Sequence, residues 1–174
     1  MTTRRVLLTL LTGATAAFLG CQENPPLAVG PGGLSPEASL GSTLQNAGLL
    51  TCSPVPSDSV SQAVGPQGGT LVVGLHSLVV PEGALDSVVV ITAVAPSDTV
   101  NRVQFQPGGL AFGQPASLRM SYANCNLLGS LLPKRVAYVD DALEILYFLL
   151  SVDNPPTQTV TGWVEHFSEY AIAW

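Results

Sequence analysis

The chain has 174 residues, with 47% hydrophobic content, only 10% charged residues and a formal charge of −6. An acidic chain whose few basic residues are dispersed has no footprint for nucleic acid, and that class of partner is excluded. The length holds one domain plus accessory segments, and low charge with abundant Val, Leu, Ser, Thr, Gly and Pro suits a β-rich fold surfaced by hydroxyls and turns.

Met1 to Arg5 is a short basic n-region, and Val6 to Phe18 is an apolar run of signal-peptide length, too short to span a bilayer comfortably. The run ends in Phe18-Leu-Gly-Cys21, which resembles a bacterial lipobox, although Phe18 stands where an aliphatic residue is usual. Residues 1–20 are therefore expected to be a lipoprotein signal peptide, with Cys21 as the mature N-terminus and the site of lipid attachment. A thiol is the only nucleophile there that can take a thioether-linked lipid. Two or more acyl chains of the palmitate type then anchor the protein, at roughly 0.8 kcal/mol per buried methylene. The alternative is an ordinary secretory signal with an incidental cysteine. Gln22 is not the aspartate associated with inner-membrane retention, so the expected location is the bacterial cell envelope, at the outer membrane. Cleavage would remove Arg4 and Arg5, leaving 4 basic against 12 acidic residues and a charge of −8.

Three cysteines are an odd number, yet a lipidated Cys21 leaves Cys52 and Cys125 as a pair in an oxidising compartment. They are expected to form a disulfide; two free buried thiols are the alternative.

Residues 21–49 are rich in Pro, Gly and Ser without sustained periodicity, the composition of a flexible tether. Over residues 50–174 strand signals recur between hard turns. Thr70–Leu75 and His76–Val80 precede Pro81-Glu-Gly83. Val88–Ala95 ends at Pro96, and Arg102–Phe105 runs into Pro107-Gly-Gly109. Leu110–Phe112 and Ser117–Tyr122 follow, and then Arg135–Val139. Leu143–Val152 is apolar on both faces, which predicts a central strand. A short helix fits only between Asn126 and Leu132. Many short strands with 17 glycines and 14 prolines predict an all-β fold, a β-sandwich of mostly antiparallel strands or a partly open barrel.

The last twelve residues, Trp163 to Trp174, read as one alternating strand. Val164, His166, Ser168, Tyr170 and Ile172 are expected to face the interior. Phe167 and the glutamates Glu165 and Glu169 are expected to face solvent. A histidine and a serine side by side on an inward face are the most chemically suggestive arrangement in the chain.

Three stretches share a pattern: Gly65-Pro-Gln-Gly-Gly-Thr-Leu71, Leu78-Val-Val-Pro-Glu-Gly-Ala-Leu85, and Phe105-Gln-Pro-Gly-Gly-Leu-Ala-Phe112 followed by Gln114-Pro115. Together they resemble the ZU-five domain of zonula occludens proteins, Unc-five netrin receptors and ankyrins, over about Val64 to Trp174. The resemblance implies a β-sandwich. Some eukaryotic relatives cut themselves at a His-Phe-Ser sequence near the end of the domain, so it also implies a role for His166, Phe167 and Ser168. Ser168 would attack the Phe167 carbonyl in an N-to-O acyl shift, with His166 as general base or acid, and water would hydrolyse the resulting ester. Backbone strain, from a bulge in the closing strand, would have to assist. The structural alternative is a hydrogen-bonded His166–Ser168 pair in the interior.

No cofactor and no metal are expected. His76 has no Cys or His partner at ligand spacing for zinc. Asp140, Asp141, Glu144, Asp153 and Asn154 do not follow a calcium-loop pattern. The resulting expectation is a lipid-anchored binding or structural module of the envelope, whose partners are the membrane, through the anchor, and an envelope protein or polysaccharide. A single-turnover self-cleaving domain is the rival.

Overall fold

The computed structural model describes residues 48–127 and 132–174. The signal segment, Cys21, nearly all of the tether and most of the stretch expected to be a short helix lie outside the described residues.

Among the described residues eleven strands form: β1 (Asp58–Val64), β2 (Gly69–Val73), β3 (His76–Val80), β4 (Val89–Ala95), β5 (Arg102–Gln106), β6 (Ala111–Ser121), β7 (Arg135–Val139), β8 (Ile145–Phe148), β9 (Ser151–Asn154), β10 (Thr159–His166) and β11 (Glu169–Ala173). They make two antiparallel sheets packed as a sandwich, one of six strands in the order β1-β4-β5-β11-β7-β8 and one of five in the order β2-β3-β6-β10-β9. The core is built by alternation, as the strand periodicity predicts. Leu78, Leu118, Met120, Val160 and Val164 from the five-stranded sheet meet Ile91, Val103, Phe105, Val136 and Ile172 from the six-stranded one.

Two positions force glycine. A Cβ on Gly162 would stand 2.7 Å from the Val136 Cβ of the facing sheet, so β10 and β7 can approach only because that side chain is missing. Gly68, in the turn that carries the chain from β1 in one sheet to β2 in the other, has φ +73°. A Cβ on it would be 2.3 Å from the Val80 carbonyl oxygen. The first glycine-rich stretch is thus a sheet-to-sheet corner.

Cys52 and Cys125 form the expected disulfide, across 73 positions of sequence. Beside it the Asn101 and Asn124 side chains exchange hydrogen bonds, and Asn124 Nδ2 also donates to the Ser53 carbonyl at 2.7 Å. The bridge and the amide pair together fasten the entering chain to the end of β6.

Three sequence expectations are corrected. Leu110–Phe112 and Ser117–Tyr122, expected as separate strands, are one strand, β6, which runs through Gly113-Gln-Pro115. Leu143–Val152 is not one central strand. It divides into β8 and β9, which lie at the edges of different sheets. Its apolar character has a local use: Leu149 enters the core, and the Arg135 guanidinium lies 4.1 Å over the Phe148 ring. The closing stretch is likewise two strands in two sheets, β10 and β11, separated at Phe167-Ser168. β1 had no sequence signal strong enough to predict it, because Asp58-Ser-Val-Ser-Gln-Ala-Val64 is a polar edge strand.

The outer side of the six-stranded sheet is partly covered by the chain itself. Leu49, Val100, Leu143, Ile145 and Phe148 pack over Ala137, Val139, Ala171 and Ala173. Leu49 bridges to Ala173, and Leu50 N–H donates to the Ile172 carbonyl at 2.9 Å. β11 is therefore buried on both faces.

Candidate functional site

The crossover from β10 to β11 lines an open cleft of about 740 Å³. His166, Phe167 and Ser168 form one wall, with Gly109, Tyr138 and Asp141 among the residues around them. The sequence-derived orientation holds for Val164, Tyr170 and Ile172, which are buried, and fails at the crossover itself. Phe167 is buried rather than exposed, and His166 and Ser168 are half-buried. The reason is topological. A chain that leaves one sheet to enter the facing one passes through the core between them, and the residue at mid-passage is interior whatever its parity.

Phe167 is gripped on all sides. Its ring stacks on Phe105 at 5.2 Å between centroids and meets Phe112 edge-on at 4.9 Å. Its N–H donates to the Leu110 carbonyl at 2.8 Å, and its carbonyl accepts from the Gly109 N–H at 2.9 Å. The Ser168 carbonyl accepts from the Phe105 N–H at 3.0 Å. The Pro107-Gly-Gly109 turn thus supplies the donor that faces the Phe167 carbonyl. The pairing of β10 with β6 is irregular just before the crossover, between Val164 and His166.

His166 belongs to an aromatic cluster that no local pattern announces. Its Nε2 lies 3.0 Å from the Tyr147 hydroxyl, a hydrogen bond whose direction follows the imidazole tautomer. The ring meets Tyr138 edge-on at 5.4 Å, and Tyr138 meets Tyr147 at 5.1 Å. The Tyr170 hydroxyl donates to the His166 carbonyl. Burial raises the Tyr147 phenol above its ordinary value, helped by Tyr138 and Glu165. Burial raises Tyr170 further, so both phenols stay protonated at neutral pH. No hydrogen bond joins the His166 imidazole to the Ser168 hydroxyl, and the latter has no hydrogen-bond partner among the described residues.

Glu169, expected on a solvated face, is buried. Its carboxylate accepts from Arg102 Nη1 and, at 2.9 Å, from Gln104 Nε2. Arg102 Nε also pairs with Asp98 at 3.0 Å. A buried carboxylate needs such partners, and neighbouring β5 provides them. Glu165 is exposed, as expected.

Three of the remaining sequence candidates, His76, Asp140 and Asp153, have structural uses. His76 is buried, and its Nδ1 accepts from the Ser121 N–H at 3.2 Å. Asp140 Oδ1 accepts from the N–H groups of Ala142 and Glu144, both at 2.9 Å, which closes the turn before β8. Asp153 accepts from the Tyr122 hydroxyl at 2.7 Å and from the Lys134 N–H at 2.9 Å. Among the described residues no three His, Cys, Asp or Glu side chains gather as a metal-binding set.

No protein-family model matches the sequence, and no curated protein matches it either.

Proposed function

We propose that this chain is a lipid-anchored, extracytoplasmic β-sandwich of ZU-five type that serves as a binding module of a bacterial envelope. The observation that carries the reading is the Cys52–Cys125 bridge. Such bridges persist in oxidising compartments, and this one leaves Cys21, at the end of the signal-like run, as the odd cysteine. The three glycine-containing turns on which the resemblance was read each carry the chain from one sheet to the other. The cleft at the crossover is the natural seat for a ligand, since it is concave and combines an aromatic wall with polar groups. Membrane fractionation of the full chain and of Cys21→Ser tests the anchor. The substitution is expected to move the protein from the membrane to the soluble fraction, and unchanged fractionation overturns the lipoprotein reading.

One observation favours a second reading, self-cleavage between Phe167 and Ser168. The Phe167 carbonyl already accepts a backbone N–H, from Gly109, while the Ser168 hydroxyl is uncommitted. A donor in that position stabilises negative charge as it grows on the oxygen. In that reaction Ser168 Oγ attacks the Phe167 carbonyl carbon and passes its proton to His166. The C–N bond then breaks, the proton goes to the departing Ser168 nitrogen, and an ester results. Water hydrolyses the ester, returning the Phe167 carboxyl and the free Ser168 hydroxyl. Intact mass after long incubation decides it: loss of Ser168–Trp174 that Ser168→Ala prevents supports cleavage, and full mass throughout excludes it.

A further inference from the structure

The two sheets treat their outer faces differently. The six-stranded sheet is partly roofed by its own chain, at Leu49, Val100 and the β7–β8 segment. The five-stranded sheet has no such roof among the described residues. Its outward positions would be polar in a sheet that simply faces water. Instead Val72, Val79, Val152, Trp163 and Leu150 stand out from it, from 38% exposed at Trp163 to 77% at Leu150. The positions between them are mostly hydroxyl-bearing: Thr70, Ser77, Ser117 and Thr161.

The strands carry two charges on this face, Arg119 and Glu165, and neither forms an ion pair among the described residues. They cannot reach each other within one chain. Arg119 on β6 is level with Thr161 on β10, and Glu165 lies four residues further along, about 13 Å at the rise of a β-strand.

The register of the face makes it self-complementary. Thr70, Val79, Ser117 and Trp163 lie side by side in one row across the sheet. The Trp163 N–H donates to the Leu150 carbonyl at 3.2 Å, which extends the row to Leu150. Arg119 and Val152 stand two residues to one side of the row, and Glu165 two residues to the other. A two-fold axis along this row lays a second copy face to face on the first and exchanges the two sides. Arg119 of one copy then falls one strand's width from Glu165 of the other, about 4.8 Å laterally, and the exchange occurs twice. Val152 of one copy meets the hollow of about 360 Å³ beside Trp163, between Leu150, Glu165 and Tyr147, where β9 has not yet begun. The natural twist of packed sheets turns the copies by about 30°, which leaves the contacts nearest the axis in place.

We infer that the outer face of the five-stranded sheet is the interface of a two-fold homodimer, with Trp163 near the axis and reciprocal Arg119–Glu165 pairs. The proposal rests on this face alone and is independent of the lipid anchor and of the cleft.

The test is oxidative cross-linking of the purified full chain carrying Cys21→Ser and Ser117→Cys, with Cys21→Ser and Ser61→Cys on the opposite sheet as control. Peptide mapping verifies that the Cys52–Cys125 bridge remains in place. Ser117→Cys is expected to give a disulfide-linked homodimer, and Ser61→Cys to remain a monomer. Added to the Ser117→Cys chain, Arg119→Glu and Glu165→Arg should each weaken dimer formation about tenfold, because each sets like charges against one another. The double reversal should restore it. Both positions are exposed, so recovery in the double variant separates a lost contact from a lost fold. Absence of the cross-linked homodimer, or a dimer indifferent to both reversals, overturns the proposal. When the same oxidation is carried out in cells before purification, capture of a different protein by Ser117→Cys in place of a second copy overturns it as well.

Discussion

The Tyr170 hydroxyl donates a hydrogen bond to the carbonyl of His166, tying the second residue of β11 back to the last residue of β10. The two strands belong to different sheets, so this one bond spans the crossover that carries Phe167 and Ser168. It closes the crossover on itself and leaves the His166 side chain to the cleft.

Tyr170→Phe should therefore loosen the crossover without emptying the core. The ring and its packing on Phe105 stay, but the His166 carbonyl loses its donor. The expected cost is about 1–3 kcal/mol, measured by urea unfolding, with faster amide exchange confined to the residues around Phe167.

Gly162→Ala should be destabilising although alanine is small and apolar. Its methyl would stand 2.7 Å from the Val136 Cβ, so one of the sheets must shift. A loss of about 1–3 kcal/mol in urea unfolding is expected, and a neutral result would mean that the sheets are free to separate there.

His76 makes stability depend on pH. Burial lowers its pKa from 6.5 to about 4. Between those values the unfolded chain binds the proton and the native chain does not, so the unfolded state holds more protons and stability rises with pH. The contribution present above pH 6.5 is lost as pH falls through the folded-state value of about 4, a loss of roughly 3 kcal/mol. Urea midpoints measured at neutral and at acid pH check this. His76→Gln should show the smaller drop, because the buried imidazole with the lowered pKa is then gone.

Reduction of Cys52–Cys125 should cost roughly 4 kcal/mol on the chain-entropy model, since the bridge spans a separation of 73 residues. Thiol counting in denaturant is expected to find both cysteines unreactive until a reductant is added. Unfolding with and without reductant measures the cost.

The all-β class, the turn positions and most strands were legible locally. Val, Ile and Leu alternate between Pro and Gly punctuation, and most such runs became strands, β3 and β7 at their expected bounds, whereas Leu110–Phe112 and Ser117–Tyr122 joined as β6 and Leu143–Val152 divided in two. The cysteine pairing was legible as well, by elimination. The candidate site was legible only as a tripeptide. Its surroundings come from distant strands: Gly109 from the turn after β5, Tyr138 from β7 and Tyr147 from β8.

By itself the sequence determined which segments extend, where they turn and which of their faces are apolar, because those properties depend on neighbouring residues and on the period of the strand. Only the tertiary structure decided which sheet each strand joins. Trp163 to Trp174 reads as one continuous alternation, yet the chain changes sheets in the middle of it. Leu143 to Val152 reads as a central strand, yet it became two edges. Alternation reports that a face is buried and is silent about what buries it. At Phe167 the answer is both sheets at once, and that passage through the core places His166 and Ser168 at the cleft rather than in the interior.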